Sequence, residues 1–290
     1  MTDTTASLRK KISSAGELQS VVRTMKALAA SSIGQYEQAV RALADYYHAV
    51  ELGLGECFRQ SKSMENLWHS GRPGKKVVGA VVFGSDQGLV GQFNEVIVEH
   101  ALQSLATSSR PRIWAVGERV YTRLSDAGLS ATGQFTVPNS VQGIAALIGN
   151  ILVTSEAGSQ DELTELHLFY NRFTSGSGYQ PVSQQLLPLD DNWRRKLSEL
   201  PWPPGNLPEL LGDSTTTLRA LIREYLFISL FRACAESLAS ENASRLSAMQ
   251  RAEKNIDELL AQLHDTSHRV RQGSIDEELF DVVSGFEALS

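Results

Sequence analysis

An apolar repeat seven residues long, held for seven cycles from Leu8, limits what this chain can fold into. Stepping by four and then three, its positions are Leu8, Ile12, Ala15, Gln19, Val22, Lys26, Ala29, Ile33, Tyr36, Val40, Leu43, Tyr47, Val50 and Leu54. Only Gln19 and Lys26 break it. A seam that narrow, in strict seven-residue register, keeps one edge of a helix turned toward a second helix in a left-handed coiled coil. The spacing predicts a helix over residues 1–62 that requires a partner.

The partner is expected in the same chain. From about Thr217 there is no proline, and apolar residues recur at helical spacing: Leu218, Leu221, Tyr225, Ile228, Ala235, Leu238, Leu246, Met249, Ile256, Leu260, Leu263 and Val270. After Val270 the register slips to Ile275, Leu279, Val282, Phe286 and Leu289, and a slip changes the winding of a supercoil. At 1.5 Å per residue the two helices would run to about 80 and about 110 Å, so the second outruns the first. Its end must then be bare or held by another chain. Residues 1–76 hold 11 Lys and Arg against 7 Asp and Glu, and 214–290 hold 8 against 12; opposite signs suit antiparallel neighbours.

The net charge of -6 excludes the strongly basic surface of a nucleic-acid binder. Hydrophobic residues make up 42%, enough for a core, yet charges interrupt them too often for a membrane span. MTDTTASLRKKISS leads into the repeat without an apolar signal region, so the expectation is a soluble protein that is not exported. Cys57 and Cys234 match no zinc or redox spacing and read as buried thiols of a reducing compartment.

Between the helices the periodicity changes. KKVVGAVVF (75–83) reads as a strand buried on both faces, RIWAVGE (112–118) as a second, and 134–137 as a weak third. Helical patterns separate them at EVIVEHALQSLA, RVYTRLSDAG and SVQGIAALIGNILVTSEAG. ELHLFYNRF (165–173) and YQPVSQQLLPL (179–189) read as a hairpin around TSGSG. The fold class is therefore α/β: a long antiparallel coiled coil of the N- and C-terminal helices plus a central Rossmann-like α/β domain. The expected division is 1–62 coiled-coil helix, 75–190 α/β domain, 191–213 connection and 214–290 coiled-coil helix.

The loop Gly84-Ser85-Asp86-Gln87-Gly88-Leu89-Val90-Gly91 lies between a strand and a helix, where glycine-rich loops cradle phosphates. It lacks the Gly-Lys-Ser/Thr of a P-loop and the glycine spacing of a dinucleotide fingerprint. A structural role is favoured, with Asp86 or Ser85 capping the turn; bound phosphate is the other reading. His264 and His268 share a helix face but lack a third metal ligand in view. Asp276, Glu277, Glu278 and Asp281 read as a solvated face. No nucleophile stands beside a plausible base, so no catalytic residue, cofactor or metal is assigned.

Three stretches resemble the γ subunit of F-type ATP synthases: VVRTMKALAASS (21–32), GSDQGLVGQFN (84–94), and SLFRACAESLASENASRLSAMQRAEKNIDELL (229–260) followed by RQGSIDEELFDVVSGFEAL (271–289). In order and length the resemblance spans essentially the whole chain. It implies a non-catalytic subunit, the central shaft, whose paired helices cross a ring of alternating alpha and beta subunits while the α/β domain lies near the epsilon subunit and the membrane rotor ring. Turning an asymmetric shaft presents a different face to each beta subunit and biases it between nucleotide states. Met25 and Lys26 match the family's Met-Lys near the beta subunits, and Arg271 and Gln272 its Arg-Gln contact higher on the shaft. Ser240, Glu241, Arg245, Ala248 and Met249 match too and are expected to pack the helix pair.

The chain departs from the pattern at Gln87 (usually Arg), Val90 (usually Cys), Ser32 (usually Lys) and Ser267-His268 (often Tyr-Asn), as in a divergent bacterial branch. Without a cysteine-bearing insertion no thiol switch is expected. The resemblance places the chain at the cytoplasmic face of the cell membrane, attached indirectly through the rotor. It leaves proton or sodium coupling, and synthesis or hydrolysis, open. From the residues alone two other classes stand beside the shaft: a coiled-coil scaffold and a nucleotide-binding α/β enzyme.

Overall fold

Parallel strands need both faces covered, and the apolar runs of the middle segment meet that need in a five-stranded sheet. A computed structural model describes residues 4–60, 77–106, 108, 111–157, 163–174, 178–205, 208–209 and 213–287. The strands are β1 (Val78–Phe83), β2 (Arg112–Val116), β3 (Ala131–Phe135), β4 (Glu165–Phe173) and β5 (Tyr179–Leu187), in the order β3-β2-β1-β4-β5. β1 pairs parallel with β2 and β4, β2 pairs parallel with β3, and β5 closes one edge antiparallel to β4. The turn expected at TSGSG lies partly outside the described residues, as do the ends of the 1–62 and 214–290 segments.

Side chains of β1 alternate between two cores, as the period of two requires. Val78, Ala80 and Val82 pack with Ile97, Val98 and Ala101 of α3 (Phe93–Leu105) and with Val120 and Leu124 of α4 (Glu118–Asp126). Val81 and Phe83 belong to the opposite core, with Ile144, Ile148 and Ile151 of α5 (Val141–Ala157). That core continues into the terminal helices through Tyr36, Val50 and Leu54, and through Ile222, Ile228 and Leu238.

The N-terminal helix runs as α1 (Thr5–Ala42) and α2 (Ala44–Gln60). They are separated only at Leu43, whose carbonyl accepts from the Tyr47 N–H at 2.8 Å, so the helical ladder resumes at once. Every one of the fourteen repeat positions is buried or half-buried. Seven of them are buried outright: Leu8, Ala15, Val22, Ala29, Tyr36 and Val50, spaced by seven or its multiple, and Leu54, four residues beyond Val50.

The connection 191–213 contains a helix, α6 (Asp191–Glu199), which turn-rich composition concealed. Asp190 caps it by accepting from the Trp193 N–H at 3.1 Å. α6 lies so close to α2 that a Cβ on Gly55 would sit 2.3 Å from the Leu197 carbonyl oxygen. The Trp193 ring lies 4.7 Å from the Tyr225 ring, and the Arg194 guanidinium lies 5.3 Å from the Phe58 centroid.

The C-terminal helix is α7 (Ser214–Glu287), unbroken over 74 residues. Two compact units are present, residues 1–29 with 245–290, and residues 30–244. The division between the units falls within α1 and within α7. In the larger unit Tyr46 donates to Glu224 at 2.7 Å and Gly53 abuts Leu221. In the smaller unit Gln19 meets Asp257, Arg23 meets Glu253, and Val22 packs with Met249 and Ile256. In each, partner numbers fall along α7 as they rise along the first helix, so the pairing is antiparallel.

Between Ser229 and Ser244, α7 is buried at almost every position. Ala233, Ala235, Ala239 and Ala243 alternate there with Ser229, Ser237, Ser240 and Ser244. Small side chains let a helix be enclosed on all sides without overpacking.

Candidate functional site

The glycine-rich loop is an internal fastener of the larger unit. Ser85, fully buried, donates its N–H to Asn94 Oδ1 at 3.0 Å and its hydroxyl to the Gln87 carbonyl at 2.9 Å, while Asn94 Nδ2 donates to Ser85 Oγ at 2.9 Å. The Asp86 carboxylate accepts from the Glu118 N–H at 2.8 Å and from the Val137 N–H at 2.9 Å. It therefore caps α4 and ties down the chain after β3, so its role extends beyond the turn to which its own loop belongs. Ser244 of α7 donates to the Val90 carbonyl at 2.6 Å. A carboxylate at the α4 N-terminus occupies the place where a phosphate would be drawn. The geometry favours the structural role.

Asp86→Ala is expected to cost about 1–2 kcal/mol, because two backbone donors lose their acceptor. Chemical denaturation checks it, and the deficit should exceed that of Gln87→Ala, whose side chain is exposed.

In the smaller unit, Met25 packs beside Val22, Ala248 and Met249. Lys26, half-buried, reaches across the helix pair to Glu253 with its Nζ 2.5 Å from Oε2, and Arg23 Nε lies 3.0 Å from Oε1. The polar break in the seam thus has an intramolecular partner 227 residues away. The hydrogen bonds from Lys26 and Arg23, in that order, hold the Glu253 carboxyl below its ordinary value of 4.5. A group whose value is lowered on folding stabilises the fold above its unfolded value, and that contribution disappears as pH falls through the folded one. Glu253→Gln is expected to flatten the acid side of the stability profile below about pH 4.5, as thermal melts across that range would show; an unchanged acid slope would contradict the pairing.

Arg271 and Gln272 are exposed, as is every following residue through Ser284 whose side chain is described. They lie 18 residues beyond Glu253, about 27 Å along the helix, so the structure does not bring them to Met25 and Lys26. Ile275 is 53% exposed, Leu279 62% and Val282 68%, on one face, with Phe280 and Val283 beside them. The register slip after Val270 falls where burial ends. Asp276, Glu277, Glu278 and Asp281 are exposed there as well. On α1, Leu18, Val21 and Leu28 are also more than half exposed.

Of the residues expected to pack the helices, Ser240, Glu241 and Met249 are buried, and Arg245 and Ala248 half-buried. Ser240 donates to the Glu236 carbonyl at 2.8 Å, and Glu241 is close enough to Tyr36 to help raise the phenol above its ordinary value, after burial itself.

Among the described residues no group of three or more His, Cys, Asp or Glu could hold a metal, and no helix is long and apolar enough to cross a membrane. Burial pushes the thiols of Cys57 and Cys234 up, which suppresses the thiolate. A cavity of about 340 Å³ between α5 and α7 is lined by Leu152, Val153, Phe227, Arg223 and Glu224. A second, of about 240 Å³, is lined by Tyr47, Tyr170, Arg172, Gln184, Ser229 and Arg232; nothing in the local sequence pattern marks it, because its residues come from four elements.

The family model described as ATP synthase matches residues 4–289. The chain is 27% identical to the ATP synthase gamma chain of Nitrosomonas eutropha, covering 97% of this chain and 98% of that one. It is 28% identical to the ATP synthase gamma chain of Glaesserella parasuis, with the same coverage. Its fold is similar to a chain in the OSCP/F1/c-ring structure of the Euglena gracilis mitochondrial ATP synthase, with a TM-score of 0.63 at 17% identity over 98% of this chain and 94% of that one. A chain in the central stalk/c-ring structure of the Tetrahymena thermophila enzyme gives a TM-score of 0.56 at 23% identity over 80% and 99%. A helix pair joined to an α/β sheet, matched over its whole length in sequence and in fold, identifies the chain as a member of the ATP synthase family, among its gamma chains.

Proposed function

We propose that this gamma subunit is the turning shaft of a rotary ATP synthase, meeting the beta subunits through two stations, Met25–Lys26 and Arg271–Gln272. It is a non-catalytic subunit of a membrane-associated complex. Its partners are the alpha and beta subunits, the epsilon subunit and the membrane rotor ring. Ion flow through the rotor, of protons or of sodium, turns the shaft, and the shaft's asymmetry drives the beta subunits through their nucleotide states. The complex stands at the cytoplasmic face of the cell membrane, and the chain reaches the membrane only through the rotor.

The exposed end of α7 carries this reading. A helix whose last described turns bury nothing of their own, and which sets Ile275, Leu279 and Val282 in one apolar row, is shaped to be enclosed by other chains. Arg271 at its base suits carboxylate partners, since a guanidinium fork binds two oxygens at once. Lys26 meets a partner by exchanging Glu253 for a carboxylate of the ring. Reconstitution with alpha and beta subunits tests the reading: the three should co-purify, and ATP turnover should depend on the chain. A chain that never enters such a complex would return it to the scaffold class.

A further inference from the structure

The cavity enclosed by α2, β4, β5 and α7 combines features that the shaft reading does not use. Its lining joins two cationic side chains, Arg172 and Arg232, to four polar groups that already have partners: the Tyr47 hydroxyl bonds Glu51, the Tyr170 hydroxyl bonds Glu236, and Gln184 and Ser229 bond Tyr225. Among the described residues no carboxylate lines it, though Glu236 bonds both arginines. We propose that this cavity binds a small tetrahedral oxyanion of the phosphate type, gripped by the guanidinium groups of Arg172 and Arg232. All the lining residues belong to one compact unit, and the inference is independent of whether the chain rotates.

The charge balance favours an anion. Both arginines lean on a single carboxylate, with Arg172 Nε 2.9 Å from Glu236 Oε2 and Arg232 Nε 2.7 Å from Oε1. Two positive charges therefore share one negative charge. Arg172 also donates from Nη2 to the Tyr170 hydroxyl at 2.5 Å, and its guanidinium lies 5.6 Å from the Tyr170 ring centroid. These contacts fix its plane while using two of its five N–H groups. Arg232 commits Nε to Glu236 and otherwise borders the cavity half-exposed. A second carboxylate, Glu51, accepts from the Tyr47 hydroxyl at the α2 side of the cavity, and burial raises its own value.

Size agrees. About 240 Å³ far exceeds the roughly 10–15 Å³ that one water needs by the same measure, leaving room for an oxyanion and part of its hydration shell. The larger cavity offers a contrast: it has one arginine beside a glutamate and three apolar side chains, so it holds no cationic pair. Planar forks bind tetrahedral oxyanions through two parallel N–H bonds, which a lone ammonium does not reproduce.

Calorimetric titration of the full chain with sodium phosphate, against sodium chloride at matched ionic strength, tests the proposal. One saturable phosphate site is expected. Arg172→Gln and Arg232→Gln should each weaken it by about tenfold or more, Arg232→Lys should weaken it less, and Arg223→Gln at the other cavity should leave it unchanged. A parallel titration with ADP separates the sources of the anion. Tighter ADP binding that is lost in Arg232→Gln assigns the site to a nucleotide phosphate, whereas phosphate binding alone assigns it to the free ion. Absence of saturable binding for both ligands overturns the proposal. So does affinity that survives both glutamine substitutions in variants whose circular dichroism matches the parent.

Discussion

Replacing Gly117 by alanine is expected to lower folding stability by about 3 kcal/mol or more, read as a fall in the urea midpoint. Gly117 precedes α4 with φ of 118°, a conformation L side chains rarely adopt. A Cβ there would lie 2.8 to 2.9 Å from the oxygen, carbon and nitrogen of Ser85. Those atoms cannot retreat cheaply. Ser85 is held by Asn94 and Gln87, and its carbonyl accepts from the Arg119 N–H at 2.9 Å. Gly117 itself donates to the Phe135 carbonyl at 2.8 Å, so rotating it away breaks the tie to β3. Gly128 is the control: its φ is 82°, but a Cβ would meet nothing within 4 Å. Gly128→Ala should therefore cost only the strain of the left-handed region, about 1–2 kcal/mol. Equal losses at the two positions would mean that the close approach to Ser85 contributes nothing.

Replacing Ile275, Leu279 and Val282 together by aspartate is expected to leave the isolated chain as stable as the parent while greatly weakening its assembly with alpha and beta subunits. The first half follows from exposure of 53%, 62% and 68%: surface positions that bury nothing tolerate polar residues within about 0.5 kcal/mol. The second follows from what enclosure would contribute. Burying an aliphatic side chain of this size is worth about 1.5–3 kcal/mol, so losing three and burying charges instead should weaken association by well over a hundredfold. Denaturation of the chain alone and co-purification of the complex read the two halves separately. Normal assembly of the triple variant would show that the partner grips some other part of the chain.

Both predictions concern features that differ in how far the sequence displays them. The seven-residue repeat is a local signal, and it named the buried edge of the N-terminal helix down to the particular residues Leu8, Ala15, Val22 and Ala29. The strands from Val78, Arg112 and Glu165 were legible from local signals too: the first as a short, continuous β-branched run that suits burial on both faces, the last as an alternating segment. The slip after Val270 was visible as a change of register, and the end of burial at the same place explains it: without a partner in the described chain, no seam has to be kept. α6 was not legible, because a nine-residue amphipathic turn among prolines looks like a loop until α2 is laid against it.

The candidate site divides in the same way. The resemblance singled out Met25, Lys26, Arg271 and Gln272 as expected contacts, yet a motif is silent about charge partners hundreds of residues away. Lys26 looked like an outward contact and in the folded chain also closes on Glu253. Asp86 looked like a turn cap and in fact reaches α4 and the segment after β3. The oxyanion cavity has no motif at all, since its two arginines and two tyrosines come from α2, β4 and α7.

Periodicity and turn chemistry are properties of neighbours along the chain, so the sequence by itself determined a heptad-seamed helix, a second long helix to pair with it and a parallel sheet between them. Hydrogen bonds, ion pairs and cavities are properties of neighbours in space. Only the tertiary structure decided that Glu253 holds Lys26 and Arg23, that Gly117 must yield to the backbone of Ser85, and that Arg172 and Arg232 face one cavity, because chain closure alone brings those atoms within bonding distance.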